Sequence, residues 1–250
     1  MKRHAVITGG GSGIGLAIAG ELKACGCDVT IMGRSPERLA AAAAALDGAR
    51  AITCDVTEPQ NVASAFATAA AAAGPVSILV NNAGVVRTAP FSRQTDADWE
   101  MLWRTNVMGA VHAIREVLPA MRDLPGARIV NVASTASLKG YGYVSAYVAT
   151  KHALLGLTRA LALELVRTGV TVNAVCPGYA DTDIIRDAVD AIVQKTGRTE
   201  DEARATFTGA NPQGRLIDPA EVAAAVRWLV GEGARSVTGQ AIAIAGGEVM

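Results

Sequence analysis

Short apolar runs alternate with longer amphipathic stretches along the whole chain. Arg3–Thr8 reads as a first buried strand. Further runs follow at Asp28–Met32, Ala49–Thr53, Ser77–Val80, Arg128–Val132, Val170–Val175 and Ala241–Ala245. Helical patterns of roughly 15 residues separate them. Strand and helix in regular alternation predict an α/β fold, a doubly wound seven-stranded parallel sheet with helices on both faces. No long linker or compositional break divides it, so residues 1–250 read as a single domain.

Several helix starts carry their own punctuation. Ser35-Pro36 offers an N-cap followed by proline at the first helical position. Asp218-Pro219-Ala-Glu221 and Thr199-Glu-Asp-Glu202 are capping boxes. The alanine runs at 40–45 and 69–73 suit outer helices, because alanine loses no side-chain entropy on becoming helical.

The most individual stretch lies at about 183–211. Ile184, Ala188 and Ile192 share one helical stripe beside Ile185, Val189 and Val193, with Arg186, Asp187, Asp190 and Gln194 opposite. Gly197 ends this helix and Thr199 starts another. Ordinary helix-to-core packing is one reading of this pair.

The first strand runs straight into Gly9-Gly-Gly-Ser12-Gly13-Ile14-Gly15, and a helical pattern follows from Leu16. A strand, a glycine turn and a helix N-terminus form a cradle for an anion. Glycines let backbone approach a pyrophosphate, and the orphan N–H groups with the helix dipole favour its charge. An isolated match reads equally as a flexible turn; the flanking strand and helix favour the nucleotide.

Tyr147 and Lys151 stand four apart, with Ser134 thirteen positions before the tyrosine. Residues at i and i+4 share a helix face, so an ammonium can lie beside a phenol. A free tyrosine titrates near ~10, and a close cation favours its phenolate. Alone, Tyr-x-x-x-Lys also fits two surface residues. The nucleotide cradle gives it weight.

With these motifs the chain resembles the short-chain dehydrogenase/reductase family in its compact, Rossmann-type form, over essentially its whole length. Asn81-Asn82-Ala83-Gly84 matches the segment closing the fourth strand, and Asp55-Val56 the pair beside the adenine. Asn106 matches a helix asparagine that holds a proton-relay water. Pro177-Gly178-Tyr-Ala180-Asp-Thr182 matches a segment near the nicotinamide carboxamide.

The resemblance implies an oxidoreductase interconverting a ketone and a secondary alcohol. Tyr147 is then the acid/base and Ser134 polarises the substrate oxygen. Lys151 binds the nicotinamide ribose and lowers the tyrosine pKa, and Asn106 holds a water linking Lys151 to solvent. For Asn106 the alternative is a buried amide bonded to its own helix backbone. The stretch 183–211 is similar to the family's substrate lid. Together with Asn211-Pro-Gln-Gly-Arg215 it resembles 3-oxoacyl-thioester and polyketide ketoreductases. An NAD-dependent dehydrogenase of a small alcohol remains the alternative. A non-catalytic dinucleotide sensor fits less well, because all four catalytic positions are present.

Strand two ends Ile31-Met-Gly33-Arg34, with glycine where NAD enzymes of this architecture place an acid for the ribose 2′-hydroxyl. Glycine leaves room for a 2′-phosphate and the guanidinium can pair with it, which favours NADP(H) over NAD(H). Arg34 as a solvated residue, or stacked on the adenine of NAD, is the other reading. Ser12 stands where some NADP enzymes carry a second basic residue.

Composition narrows the partners. Net charge is +0 with basic residues scattered, so nothing points to nucleic acid or an anionic membrane. The first apolar run stops at Thr8, and none approaches the roughly 20 residues of a membrane span. A cytoplasmic enzyme acting on a small carbonyl or alcohol is expected, with no metal site. Cys25, Cys27, Cys54 and Cys176 form no Cys-x-x-Cys pair and read as small buried hydrophobes. Trp99 and Trp103, four apart, suit core or a subunit interface. By resemblance, with Leu154, Leu155, Leu157, Leu161 and Leu163 along the Tyr147 helix, the assembly is a homotetramer.

Overall fold

The computed structural model describes residues 2–250. Seven parallel strands, β1 (His4–Thr8), β2 (Asp28–Gly33), β3 (Arg50–Thr53), β4 (Val76–Asn81), β5 (Arg128–Val132), β6 (Thr171–Pro177) and β7 (Ala241–Ile244), form one sheet ordered β3-β2-β1-β4-β5-β6-β7. The α-helices among the described residues are α1 (Gly13–Ala24), α2 (Pro36–Ala45), α3 (Pro59–Ala73), α4 (Asp96–Trp103), α5 (Gly109–Met121), α6 (Ser145–Glu164), α7 (Asp183–Thr196), α8 (Glu200–Thr208) and α9 (Pro219–Val230). None is long and apolar enough to cross a membrane.

The strands are apolar because both faces are covered. On one face Ile18 and Leu22 of α1, Leu39 of α2 and Val226 of α9 pack against Ile7, Ile31 and Val80. On the other, Phe66 of α3, Val117 of α5 and Ala162 of α6 pack against Val6, Leu79 and Ile129. Strand order reverses between β1 and β4, whose ends are level at Thr8 and Asn81. A crevice therefore opens past the carboxyl ends of these strands, where such sheets bind ligands.

Three features differ from the sequence reading. The chain makes one turn of π-helix at Arg104–Met108, between α4 and α5. Cys54 and Cys176 are buried, but Cys25 is exposed and Cys27 half-buried, because both lie in the turn after α1. In α7 the buried stripe is Ile185 and Val189, packed with Ala203 of α8 and Leu216. Ile184 is 56% exposed instead. Gly197 does end α7, in the left-handed region at φ 70° that favours glycine, and the Thr199–Glu202 capping box starts α8. The α7–α8 pair thus owns a small apolar core, separate from those under the sheet.

Candidate active site

The glycine turn is shaped by what it must pack against. Gly9 takes φ 65° and Gly13 φ 51°, where a Cβ is strained. At Gly15 a Cβ would lie 2.3 Å from the Gly9 carbonyl and 2.5 Å from Asn82 Nδ2, so only glycine lets α1 sit on the turn. Asn82 Nδ2 donates to the Thr8 and Gly9 carbonyls at 3.1 and 3.0 Å. Thr8 Oγ1 accepts from the Asn82 and Ala83 N–H groups at 3.1 and 3.2 Å. Ser12 makes no side-chain cap, which leaves the first N–H groups of α1 for an anion, while Ile14 anchors on the core. Across the turn stands Thr182, whose Cγ2 would be 3.1 Å from a Cβ at Gly13.

Beside this turn is a cavity of about 140 Å³ between Gly9, Arg34, Asp55, Val56, Ala83 and Gly84. Gly33 is on its wall too, and a Cβ there would make only ordinary contact with Leu39. Burial pushes the Asp55 carboxyl up, but the Thr57 N–H and hydroxyl, then Arg34 and Arg104, hold it below its ordinary value. Arg34 itself is exposed and, among the described residues, in no ion pair. Val56 fills the space where Gly109 lacks a side chain, and its carbonyl is 3.0 Å from His112 Nδ1. A narrow slot, an acid, a free guanidinium and an uncapped helix fit the adenosine and phosphates of a dinucleotide.

The reacting end lies where β5 and α6 meet. Ser134 starts a single 3-10 turn, its Oγ accepting from Ala136 N–H at 3.1 Å. Tyr147 and Lys151 occupy the first two turns of α6. Lys151 is 5% exposed; its Nζ donates to the Val132 carbonyl at 2.9 Å and stands 5.6 Å from the Tyr147 ring centre. Burial pulls its pKa down to about 8, against a smaller rise from Cys176.

Tyr147 departs from the expected electrostatics. Burial pushes the phenol above its ordinary value, a Ser134 hydrogen bond opposes this and Tyr179 adds to it. The Lys151 ammonium, held on the Val132 carbonyl, is not among the groups that lower it.

Asn106 belongs to the π turn, a feature frequent at functional sites. It does not bond its own helix backbone. Its Oδ1 accepts from Val85 N–H at 2.8 Å, and Nδ2 donates to the Val85 carbonyl at 2.9 Å and Thr150 Oγ1 at 3.1 Å. A Cβ at Gly84 would lie 3.3 Å from Asn106 Oδ1 and 3.7 Å from Lys151 Nζ, which puts all three around one small volume. Pro177 ends β6, Gly178 donates to the Ile244 carbonyl at 3.0 Å, and buried Ala180 bridges to Ile217.

Sequence reasoning overlooked Val132, whose carbonyl orients Lys151, and Thr150, which supports Asn106. Neither carries a signal in a lone sequence, since one acts by backbone and the other by a common hydroxyl. Tyr143, in the loop before α6, has φ 67° and is 66% exposed, and its carbonyl accepts from Ala89 N–H at 2.8 Å.

Known proteins resemble this chain over nearly its whole length. The short chain dehydrogenase family profile matches residues 3–193. A Streptomyces violaceoruber protein named as ketoacyl reductase 1 of the granaticin polyketide synthase is 39% identical, over 98% of this chain and 93% of its own. An acetoacetyl-CoA reductase of Rhizobium meliloti is 36% identical over 99% of both chains. A crystal structure of a variant actinorhodin polyketide ketoreductase with NADPH superposes with TM-score 0.93, at 36% identity, over 99% of this chain and 97% of that one.

Proposed function

Because this chain belongs to the short chain dehydrogenase family, and is an oxidoreductase with a nicotinamide dinucleotide cofactor, we propose that it reduces a 3-oxoacyl thioester to the secondary alcohol with NADPH. The observation that carries the cofactor choice is the rim of the adenosine slot. Gly33 leaves the 2′ position open, and Arg34 stands beside it in no ion pair among the described residues, its charge felt by Asp55 across the slot. The names of the relatives support the substrate class.

When bound, the dinucleotide supplies the hydride. The Ser134 hydroxyl donates to the carbonyl oxygen and holds it, and Tyr147 delivers the proton to the same oxygen. A phenol raised by burial is protonated at neutral pH, the state a donor needs. Lys151 would hold the nicotinamide ribose through its hydroxyls. Asn106 spends both Nδ2 protons on protein partners, but its Oδ1 keeps a lone pair to hold a water, through which Lys151 exchanges protons with solvent.

The helices α7 and α8 form the lid over the acyl chain, with Ile184 as the apolar side chain left free to meet it. The assembly is a homotetramer. Support comes from Leu163, 78% exposed on α6, and Trp103, 44% exposed on α4, which are large apolar surfaces without a cover in one protomer.

The test is an initial-rate assay with acetoacetyl-CoA and both cofactors. Wild type is expected to prefer NADPH over NADH in kcat/KM. Arg34→Asp is expected to lower that ratio by about tenfold or more, roughly 1.4 kcal/mol, since a carboxylate repels a 2′-phosphate and accepts from a 2′-hydroxyl. A wild type that prefers NADH contradicts the cofactor assignment.

A further inference from the structure

The segment after β7 holds a carboxylate that the chemistry above does not use. The Glu248 side chain is only 1% exposed. Its Oε1 accepts from the Tyr141 hydroxyl and pairs with Lys139 Nζ at 3.2 Å, while Lys139 Nζ also lies 3.4 Å from the Glu248 carbonyl. The Tyr141 hydroxyl is 2.6 Å from Thr135 Oγ1, and the Lys139 ammonium stands 4.9 Å from the Tyr141 ring centre. Thr135, Lys139 and Tyr141 all follow Ser134 in the connection from β5 to α6.

The other oxygen of the same carboxylate faces the next connection. At Gly178 a Cβ would come within 2.9 Å of Glu248 Oε2, so glycine there makes room for the acid. Tyr179, one residue on, meets Tyr141 edge-on at 6.5 Å and Phe207 of α8 at 5.3 Å. A buried acid is costly unless its lone pairs are used. Here its donors come from one loop and its seat from the other.

We infer that Glu248 is a positioning residue, a strut that fixes the Ser134 loop against the Gly178–Tyr179 loop at the root of α7. It touches no reacting atom and acts through Tyr141 and Thr135. The inference rests on Ser134 and Tyr147 being the reacting pair. A misplacement near 1 Å costs on the order of hundredfold in rate, and a loosened strut costs part of that.

The experiment compares Glu248→Ala, Glu248→Gln, Tyr141→Phe and the double Glu248→Ala/Tyr141→Phe variant, in the full chain with NADPH and acetoacetyl-CoA. Glu248→Ala is expected to lower kcat by about tenfold. Its NADPH Kd, read by nucleotide fluorescence, is expected to stay within about twofold of wild type. Glu248→Gln keeps an acceptor for Tyr141 and recovers most of kcat. Tyr141→Phe removes the same bond from its other end, so the double variant is no slower than the slower single one.

Wild-type kcat in Glu248→Ala overturns the strut, as does glutamine no better than alanine with NADPH affinity falling in step. Should Glu248→Ala fail to fold, wild-type kcat in Tyr141→Phe overturns it instead. Amide exchange over residues 135–143, measured with NADPH bound, separates this claim from the functional one. Faster exchange in Tyr141→Phe upholds the strut even if no thioester turns over, and unchanged exchange removes it even if wild type is a good thioester reductase.

Discussion

The two walls of the crevice are held by different kinds of interaction. The nucleotide wall, at the ends of β1 and β4, is made of glycine dihedrals and backbone bonds that converge on Thr8 and Asn82. The substrate wall, from the Ser134 loop to α8, is held by side chains distant in sequence. Tyr141 reaches Glu248 across 107 positions and Arg204 reaches Asp181 across 23. A wall fixed by backbone conformation tolerates few residue types, so its sequence announces it. A wall fixed by paired side chains can be built in many ways, so its sequence says little about it.

That contrast is sharpest at two neighbouring isoleucines. Ile185 is packed with Val189, Ala203 and Leu216, whereas Ile184 is 56% exposed. Ile185→Asp is therefore expected to cost about 3 kcal/mol in urea unfolding and to damage turnover of every substrate alike. Ile184→Asp is expected to change stability by no more than about 0.5 kcal/mol. It raises KM for a long acyl thioester more than for a small cyclic ketone. Reversed outcomes at the two positions would put the wrong face of α7 over the site.

A smaller effect tests the burial of Lys151, which lies between the walls. Its pKa falls from 10.5 to about 8 on folding, so between those values the unfolded chain binds a proton that the folded chain has released. Stability then rises with pH through that window, and the penalty is full below it. Without cofactor, Lys151 is expected to contribute about 2 kcal/mol of rising stability from pH 7.5 to 9.5, opposed in the same window by the buried Cys54 and Cys176 thiols, each pushed up to about 11. Lys151→Met is expected to remove that contribution, so the wild-type-minus-variant difference in unfolding free energy rises by about 2 kcal/mol across the window. Tyr147 works in the opposite sense only near and above pH 10, since its pKa is raised. A wild-type-minus-variant difference that stays flat across the window contradicts the burial of a charged Lys151.

The sheet was legible for a physical reason. Strands buried on both faces read as short apolar runs, and β5 (Arg128–Val132) has the bounds its pattern predicts. β6 extends two residues further, because Pro177 needs no amide proton where it ends the strand. The glycine turn and the Gly197 and Thr199 signals were equally readable, being local. The π turn around Asn106 was not, since no residue type marks it. Nor was the direction of the α7 stripe: the sequence places Ile184 and Ile185 on one broad apolar arc, and only Leu216 and Ala203 decide which is buried. The raised Tyr147 pKa escaped for a similar reason. Spacing puts a lysine beside a tyrosine, but the Val132 carbonyl decides where its ammonium points.

Deuteride transfer tests the central claim most directly. With NADPH deuterated at the reactive position of the nicotinamide and acetoacetyl-CoA as substrate, the hydroxyacyl product is expected to gain one mass unit at the carbinol carbon. Tyr147→Phe is expected to bind NADPH as wild type does and to slow that transfer by about 10²–10⁴-fold, the usual contribution of a positioned acid. A Tyr147→Phe enzyme that retains more than about a tenth of the wild-type rate, or a product without the label, contradicts the account.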